Sequence, residues 1–427
     1  MNTNIIDYGA VSGGGLCTEA IQRAIDECER SGGGRVTVPP GLYKTGTIWL
    51  KSNVELHLEH GSILKASDNL DDYNSLDAYE QNYGCDSERW VGKHMIIAHE
   101  TTNSALTGTG TLDGSGDAFF GGKSRFNGYA WRNGLGVVKD PEKMRPGQLV
   151  CFIECRKVTV RDIELTNMPC WGLFMIGCEY VTVQGLRVFN PDWFTNSDGI
   201  DIDCCRFVTV SDCVINTGDD AIAIRGVARR VLHGGSKVTE YITISNCVLA
   251  SSACAFRVGV GDGLIRHVRV SNITIDRAAS GVCLQTDYAG SGSVDIEDVS
   301  FSGLSATNIG YPARIAEGNG AYIRDITIEN YTAEHMAALY ITARHDDTIS
   351  DIKVRNCTFT AIDSPFEITP SVKQTRGAAL CDCTNVSRLS LDNVEFRITP
   401  ERMKLWDGIY RLTGCTGTIE GKPIKEG

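Results

Sequence analysis

A phrase of alternating apolar residues recurs along the chain and sets the strongest limit on its fold. A typical copy, starting at residue 158, reads V-T-V-R-D-I-E-L-T-N, with two alternating runs separated by a polar corner. The copies begin at residues 158, 181, 208, 242, 268, 299, 326, 352 and 389, so the steps range from 23 to 37 residues. A period in this range indicates a repeat architecture, in which each unit stacks on its neighbours.

The pattern inside each copy selects among the repeat folds. Alternation with period two and enrichment in Val, Ile and Thr exclude a helical solenoid. A propeller blade needs about 40–45 residues, which is longer than the steps. The remaining architecture is an all-β parallel β-helix, in which each repeat is one coil and equivalent residues stack about 4.8 Å apart. The inward Val, Ile, Leu and Cys side chains then form the core, and Asn residues occupy the corners.

One short helix precedes the repeats. Residues 18–30 place apolar side chains at helical spacing, Thr18 is the expected N-cap, and the glycines at 32–34 end the helix. We expect this helix to cover the open end of the first coil, where strand edges would otherwise be exposed.

Three irregular segments interrupt the coils, at about 67–95, 115–147 and 226–240. Insertions in a solenoid tend to gather on one face, so these segments are expected to wall a groove there. No Pro/Ser-rich linker divides the chain. The sequence therefore predicts one domain over residues 1–427.

Composition and charge limit the kind of partner. The 41 basic and 53 acidic residues give a net charge of −12, which disfavours nucleic acid and anionic membrane surfaces as partners. Hydrophobic residues make up 42% of the chain, as in globular proteins, and no run of about 18 apolar residues predicts a membrane span.

The cysteines bear on metals and on location. All 17 are scattered without C-x-x-C pairs, so no zinc site is predicted, and the sequence calls for no metal or cofactor. The first residues lack the pattern of a signal peptide, and many free thiols suit a reducing compartment. The expectation is therefore a cytoplasmic protein. The oligomeric state is left open.

Two acidic segments lie about one coil apart. The first reads N-S-D-G-I-D-I-D over 196–203, and the second reads G-D-D-A-I-A-I-R over 218–225. Asp198 and Asp219 are 21 residues apart, which places them on neighbouring strands of one sheet. Each aspartate alone is readily explained as a turn residue. The combination one coil apart favours a functional site.

The chemistry of that site follows from crowding. Gly218 permits a bend that directs Asp219 and Asp220 toward the same side as Asp198. Carboxylates this close repel one another, so one pKa is expected to rise and to make a proton donor. A carboxylic acid paired with a carboxylate base is what glycosidic hydrolysis requires.

These motifs resemble glycoside hydrolase family 28, the polygalacturonase family. The order N-[ST]-D-G-I-D-I-D, a strand, then G-D-D-A-I-x-I carries the likeness, which extends from about residue 5 to 400. Supporting phrases are G-G-G-R-V-T-V-P-P-G-L-Y-K-T-G at 32–46, G-T-G-T-L-D-G at 108–114, R-P-G-Q-L-V-C-F at 145–152 and N-M-P-C-W-G-L-F at 167–174. The resemblance implies a single-stranded, right-handed parallel β-helix of the pectin-lyase-like type.

The resemblance also implies roles. Asp219 is similar to the family's general acid, and Asp198 and Asp220 are similar to the pair that holds and deprotonates the attacking water. Family members invert the anomeric centre, which predicts carboxylates about 6.5–9.5 Å apart.

The sequence departs from the family in two places. The family's G-H-G is Ala253-Cys254-Ala255 here, and its R-I-K is Cys283-Leu284-Gln285, so the His, Arg and Lys are absent. The basic residues hold a uronate carboxylate in the family, and Arg257 or Arg225 is a possible replacement because an arginine fork suits a carboxylate. The full set of predicted substrate-binding residues is Asn196, Asp201, Arg257, Arg225, Trp171, Tyr288, Cys254 and Gln285.

The leading hypothesis is an inverting, exo-acting glycoside hydrolase on a pectic-type oligosaccharide from a plant polysaccharide. Three alternatives stay open. A rhamnosidase or other neutral-sugar exo-glycosidase would explain the lost basic residues. A β-helix polysaccharide lyase would give unsaturated products, and a non-catalytic carbohydrate-binding β-helix would give none.

Overall fold

The computed structural model describes residues 1–120, 144–288, 292–363 and 379–424. Most of the predicted insertion 115–147 lies outside the described residues. The chain divides into two compact units, an N-terminal unit of Met1–Asp219 with Arg230–Ser236 and a C-terminal unit of Asp220–Arg229 with Lys237–Gly427. The single domain expected over residues 1–427 stays a prediction.

The N-terminal unit consists of short strands. They are β1 (Asn2–Asn4), β2 (Gly34–Val38), β3 (Gly41–Thr45), β4 (Ile48–Leu50), β5 (Val54–Leu58), β6 (Ser62–Ala66), β7 (Trp90–Val91), β8 (Ile96–His99), β9 (Ala105–Gly108), β10 (Thr111–Asp113), β11 (Arg145–Pro146), β12 (Val150–Ile153), β13 (Arg156–Arg161), β14 (Glu164–Thr166), β15 (Leu173–Ile176), β16 (Glu179–Gln184), β17 (Arg187–Phe189), β18 (Ile200–Asp203), β19 (Arg206–Ser211) and β20 (Val214–Thr217). Short 3-10 turns cover Ile5–Tyr8, Leu70–Asp72, Asp86–Glu88 and Gly116–Ala118.

The strand register in this unit confirms the coil assignment. Val158 pairs in parallel with Val181, and Val181 pairs with Val208, so the first residues of three successive repeats stack. All three valines are buried, as the alternation predicts for inward positions.

Helix α1 (Thr18–Arg30) covers this unit's first strands, as predicted. Ile21 and Ile25 are fully buried on its inner face. Thr18 is not the N-cap, because Cys17 takes that position and the Thr18 hydroxyl instead accepts a 2.8 Å hydrogen bond from the backbone N–H of Gly46. The Thr18 hydroxyl therefore bonds to a residue distant in the sequence instead of capping its own helix.

The C-terminal unit contains the longer strands. They are β21 (Ile222–Gly226), β22 (Val238–Ser251), β23 (Cys254–Gly261), β24 (Leu264–Gln285), β25 (Asp295–Glu317), β26 (Ile323–His335), β27 (Leu339–Ala343), β28 (Ile349–Ala361), β29 (Ala379–Thr384), β30 (Val386–Ser387), β31 (Leu389–Arg397), β32 (Gly408–Thr413), β33 (Gly417–Ile419) and β34 (Lys422–Pro423). A 3-10 turn spans Ala228–Arg230, and helix α2 covers Pro400–Met403.

Five successive repeats stack in this unit. Their first residues pair in parallel in the order Ile242, Val268, Val299, Ile326 and Ile352. Both units are therefore parallel β-helical coils, as the sequence predicts.

Asparagines occupy the corners, also as predicted. Asn246 and Asn272 have left-handed backbone angles, and the side-chain amide of Asn272 donates a 2.8 Å hydrogen bond to Asn246 Oδ1. Asn393 donates in the same way to Asn356 at 3.0 Å. Asn tolerates this conformation because its short polar side chain bonds locally.

The cysteines follow the core. All 17 are free thiols, and all except the half-buried Cys85 are buried. Among the described residues, no helix has the length and apolar character needed to cross a membrane.

Candidate active site

A row of side chains on one face of the N-terminal unit leads to the acidic segment. Ile97 on β8, Cys151 on β12, Phe174 on β15 and Asp201 on β18 pair in register along four consecutive coils. We call these four residues the outer row, because they alternate with the inward-facing residues of their strands. Tyr83 of the insertion 67–95 packs against Phe174 of this row. Asp201 has no exposed surface, and its substrate-binding role stays a prediction.

Asp198 and Asp219 come together in this unit. Asp198 is buried, and Asp219 is half-buried. One carboxylate oxygen of each lies within 4.8 Å of the other. Consecutive coils stack at about this distance, and each aspartate lies in the turn that precedes a strand. The predicted separation of about 6.5–9.5 Å is therefore wrong for this pair.

Backbone constraints fix the position of Asp219. The Asp219 Oδ2 atom accepts a 3.1 Å hydrogen bond from the backbone N–H of Asn196. β20 ends at Thr217 and the chain bends at Gly218, as predicted. A β-carbon at Gly218 would lie 2.2 Å from the Phe194 carbonyl oxygen, so no other residue fits there.

Asn196 is held by an arginine that the sequence interpretation missed. Arg145 is fully buried and donates a 2.6 Å hydrogen bond to Asn196 Oδ1. The same guanidinium also donates to the carbonyls of Pro169 and Glu88. The side chain of Asn196 is therefore engaged with the protein, and its backbone N–H reaches Asp219. Arg145 lies in the R-P-G-Q motif, but only the fold shows its partner.

Trp171 lies within an aromatic cluster. Its ring is 5.6 Å from Trp90 and 5.5 Å from Phe174, between centroids, and the side chain is 6% exposed. Tyr83 packs 5.2 Å from Trp90, so the insertion 67–95 supplies two of these rings. Most of the Trp171 surface is thus used in packing, and a stacking role on a sugar stays a prediction.

Asp220 is bound to Arg257 within the C-terminal unit. Both side chains are buried, and Arg257 contacts Asp220 through Nε and through Nη2, the latter at 3.3 Å. The backbone N–H of Cys254 donates a further 2.9 Å hydrogen bond to Asp220 Oδ1. Burial is the largest single influence and lowers the pKa of Arg257, but the electrostatic interactions with Asp220, Cys254, Cys283 and Tyr288 together outweigh it, so the pKa of Arg257 is raised.

This placement changes the interpretation of Arg257. Arg257 is 7% exposed and engages an aspartate of the protein, and its predicted contact with a substrate carboxylate stays a prediction. Asp220 accepts three hydrogen bonds, which favour its ionised form. An ionised carboxylate suits the role of a base rather than that of an acid.

Two thiols adjoin this ion pair. Arg257 Nη2 lies 3.3 Å from the Cys254 sulfur, and Arg257 Nη1 lies 3.9 Å from the Cys283 sulfur. The hydrogen bond from Cys254, aided by Arg257 and Arg314 and opposed by burial, lowers the pKa of Cys283 to about 6. The same hydrogen bond and burial raise the pKa of Cys254. The position of the family's His is thus occupied by a buried thiol beside Arg257.

The other predicted residues of this unit have ordinary partners. Tyr288 lies under Arg257, with the guanidinium carbon 4.9 Å from the ring centroid. Gln285 donates a 3.2 Å hydrogen bond to Asp287. Arg225 is half-buried on β21, and its carbonyl accepts a hydrogen bond from the Thr239 hydroxyl.

Arg314 is a second arginine that the sequence interpretation missed. It pairs in register with Cys283, one coil after the slot where the family has R-I-K. Its Nη1 atom donates a 2.7 Å hydrogen bond to Gln285 Oε1 and lies 3.9 Å from the Cys283 sulfur. In the described part of the chain, no carboxylate forms an ion pair with it. Counting one coil onward from residue 283 would have located this positive charge.

Comparison with known proteins decides the family. The model for glycosyl hydrolases family 28 matches residues 28–358, which is more than half of the chain. The chain belongs to glycosyl hydrolase family 28. It is thus a glycoside hydrolase of a pectin-degrading family, as predicted, and the lyase and binding-module alternatives are set aside.

Relatives within family 28 are distant. The chain is 25% identical over 317 residues to a probable polygalacturonase of Vitis vinifera, covering 71% of this chain and 60% of that protein. It is 25% identical over 403 residues to an exopolygalacturonase of Platanus acerifolia, covering 90% and 93%.

Solved structures confirm the right-handed parallel β-helix. The family 28 exopolygalacturonase of Yersinia enterocolitica has a TM-score of 0.70 at 18% identity, covering 99% of this chain and 79% of that chain. The hyperthermoactive exopolygalacturonase of Thermotoga maritima also has a TM-score of 0.70, at 22% identity, covering 93% and 92%.

Proposed function

We propose that the protein is an exo-acting, inverting hydrolase that removes terminal galacturonate residues from short pectic oligosaccharides. The observation that carries the proposal is the pair of close carboxylates, Asp198 and Asp219, at the end of an outer row that the insertion covers. The names of the relatives, which include exopolygalacturonases, support the same substrate class.

The different surroundings of the aspartates support different roles. Asp219 is half-buried, so its carboxyl group is accessible to a leaving-group oxygen, and we assign it the role of general acid. The backbone hydrogen bond that it accepts positions the side chain. Asp198 and Asp220 share the deprotonation of the attacking water, as the family resemblance implies. The close spacing of Asp198 and Asp219 alone favours retention, whereas the family resemblance implies inversion, and the product anomer separates the two.

The covered outer row supports the proposal of exo-action. Ile97, Cys151 and Phe174 are at most 4% exposed, although they stand in the row that ends at Asp201. Tyr83 packs 6.5 Å from Phe174, between ring centroids, and closes that face beside the acidic segment. A covered face favours entry of a terminal sugar over a chain that continues along these coils.

Arg314 supports the proposal that a uronate is recognised. A half-buried guanidinium that donates to an amide oxygen and a thiol has hydrogen-bonding capacity left for an anion. A galacturonate carboxylate has the planar shape that an arginine fork binds. Arg314, which pairs in register with Cys283 from the next coil, is our proposed replacement for the basic residues missing from the 283–285 slot.

The exo assignment is tested with galacturonate oligomers of defined length. We expect monomer as the only small product from the first time point, with each oligomer shortened one residue at a time. An oligomer reduced at its reducing end should remain a substrate, because the opposite end is the one bound. Early dimers and trimers would contradict the proposal, and an ultraviolet-absorbing unsaturated product would indicate a lyase.

A further inference from the structure

A group of histidine and glutamate side chains lies at the C-terminal end of β8, apart from the aspartates. His99 ends the strand, Glu100 follows in a left-handed bend, and His233 comes from the segment 230–236. One ligand atom from each of the three lies within 4.8 Å of the others. The function proposed above uses none of these residues.

The atoms that face one another are metal-binding atoms. His99 Nε2 is 3.7 Å from Glu100 Oε1, and His233 Nδ1 contacts the same oxygen. Ligands on a tetrahedral zinc ion with bonds of about 2.1 Å lie about 3.4 Å apart. The distance from His99 Nε2 to Glu100 Oε1 is close to that spacing, whereas His233 Nδ1 is hydrogen-bonded directly to the same oxygen. One ion can therefore bind all three atoms once the His233 ring moves away from Glu100 Oε1.

Outer residues hold this group in place. The second nitrogen of His233, Nε2, is 3.2 Å from Glu80 Oε2, which is the carboxylate–histidine arrangement found behind metal ligands. Glu154 accepts hydrogen bonds from the backbone N–H groups of Leu232, His233 and Gly235, at 2.7, 2.7 and 3.1 Å. The segment that carries His233 is thus positioned by the coil beneath it.

Charge also favours a cation here. Glu80, Glu100 and Glu154 bring three carboxylates together, and His99 and His233 are neutral when they act as ligands. Gln81 donates a 2.7 Å hydrogen bond to Glu154, and its Oε1 lies 3.2 Å from His99 Nε2, which adds a fourth oxygen beside the ligand atoms.

We propose that His99, Glu100 and His233 bind one divalent transition-metal ion of the zinc type, with Glu80 as the outer partner of His233. The ion joins the segment 230–236 to the end of β8. Arg230 of that segment lies over the Tyr83 ring, 3.2 Å from its centroid, and Tyr83 covers the outer row. The metal therefore stabilises the cover that closes the groove in the N-terminal unit.

The test measures cobalt(II) binding to the full chain without a histidine tag, after treatment with a chelator. We expect one equivalent of Co²⁺ with visible absorption of a low-coordinate site, and a higher melting temperature with Zn²⁺. His233→Ala should weaken binding at least about 100-fold, and Glu80→Gln about 10–100-fold. His60→Ala, at an exposed histidine outside the group, should leave binding unchanged.

Absence of cobalt binding to the wild-type chain would overturn the proposal. Binding that His233→Ala leaves unchanged would also overturn it, because the metal would then occupy another site. His233 lies in an exposed segment, so the variant should keep the circular dichroism spectrum of the wild type. The readout is metal binding and not hydrolysis, so it is independent of the function proposed above.

Discussion

Replacing Asp219 by Asn should lower kcat on galacturonate oligomers by about 10²–10⁴-fold while binding of the oligomer persists. The substitution keeps the size of the side chain and its acceptor oxygen, so the hydrogen bond from the Asn196 N–H can remain. What disappears is the proton that the leaving oxygen needs. Steady-state kinetics and calorimetric binding on the same preparation measure the two quantities.

The leaving group provides a sharper readout for this variant. An aryl galacturonide whose phenol is a good leaving group needs little protonation, so Asp219→Asn should lose far less activity on it than on the oligomer. Asp212→Asn is the matched control, because Asp212 is exposed in the same unit and has a left-handed backbone that Asn tolerates. Equal losses on both substrates would contradict the acid role, and full activity on the oligomer would exclude it.

Replacing Arg314 by Gln should reduce kcat/KM for galacturonate oligomers by about 10–150-fold. This range corresponds to the loss of charged hydrogen bonds of about 1.5–3 kcal/mol. The effect should fall mainly on KM, because the carboxylate is bound in the ground state as well as in the transition state. Arg314→Lys keeps the charge but not the fork, so it should recover part of the loss.

Discrimination between substrates separates recognition from general damage. Arg314→Gln should leave the slow hydrolysis of methyl-esterified or neutral galactosides unchanged, because these lack the carboxylate. Arg355→Gln, which alters an exposed arginine paired with Glu329, is the control in the same unit. An equal loss on charged and neutral substrates would show that Arg314 supports the fold rather than the carboxylate, and no loss on either would show that the anion binds elsewhere.

The coils could be predicted from sequence because their information is local. Alternation assigns each residue to a face, and stacking requires only that equivalent positions repeat, so Val158, Val181 and Val208 align as expected. The bend at Gly218 could be predicted for the same reason. The N-cap of α1 could not, because Thr18 bonds to Gly46, which lies 28 residues away.

The site could be predicted only in part. The aspartates were identifiable from their motifs, but the partner of Asp220 was not, since Arg257 lies 37 residues further on and its reach depends on the register of β21 and β23. Arg314 was missed because it belongs to a later repeat and stands beside Cys283 only when coils are stacked. The covering insertion has no period, so the contacts of Tyr83 could not be read from the sequence.

Hydrolysis with inversion by the aspartates at the end of the covered outer row is tested most directly by the anomeric configuration of the product. It is read from the proton NMR spectrum of the first sugar released from an α-linked galacturonate dimer, recorded before mutarotation. We predict that the β-anomer appears first. The α-anomer as first product would mean that the close spacing of Asp198 and Asp219 reports a retaining mechanism, and it would contradict the account.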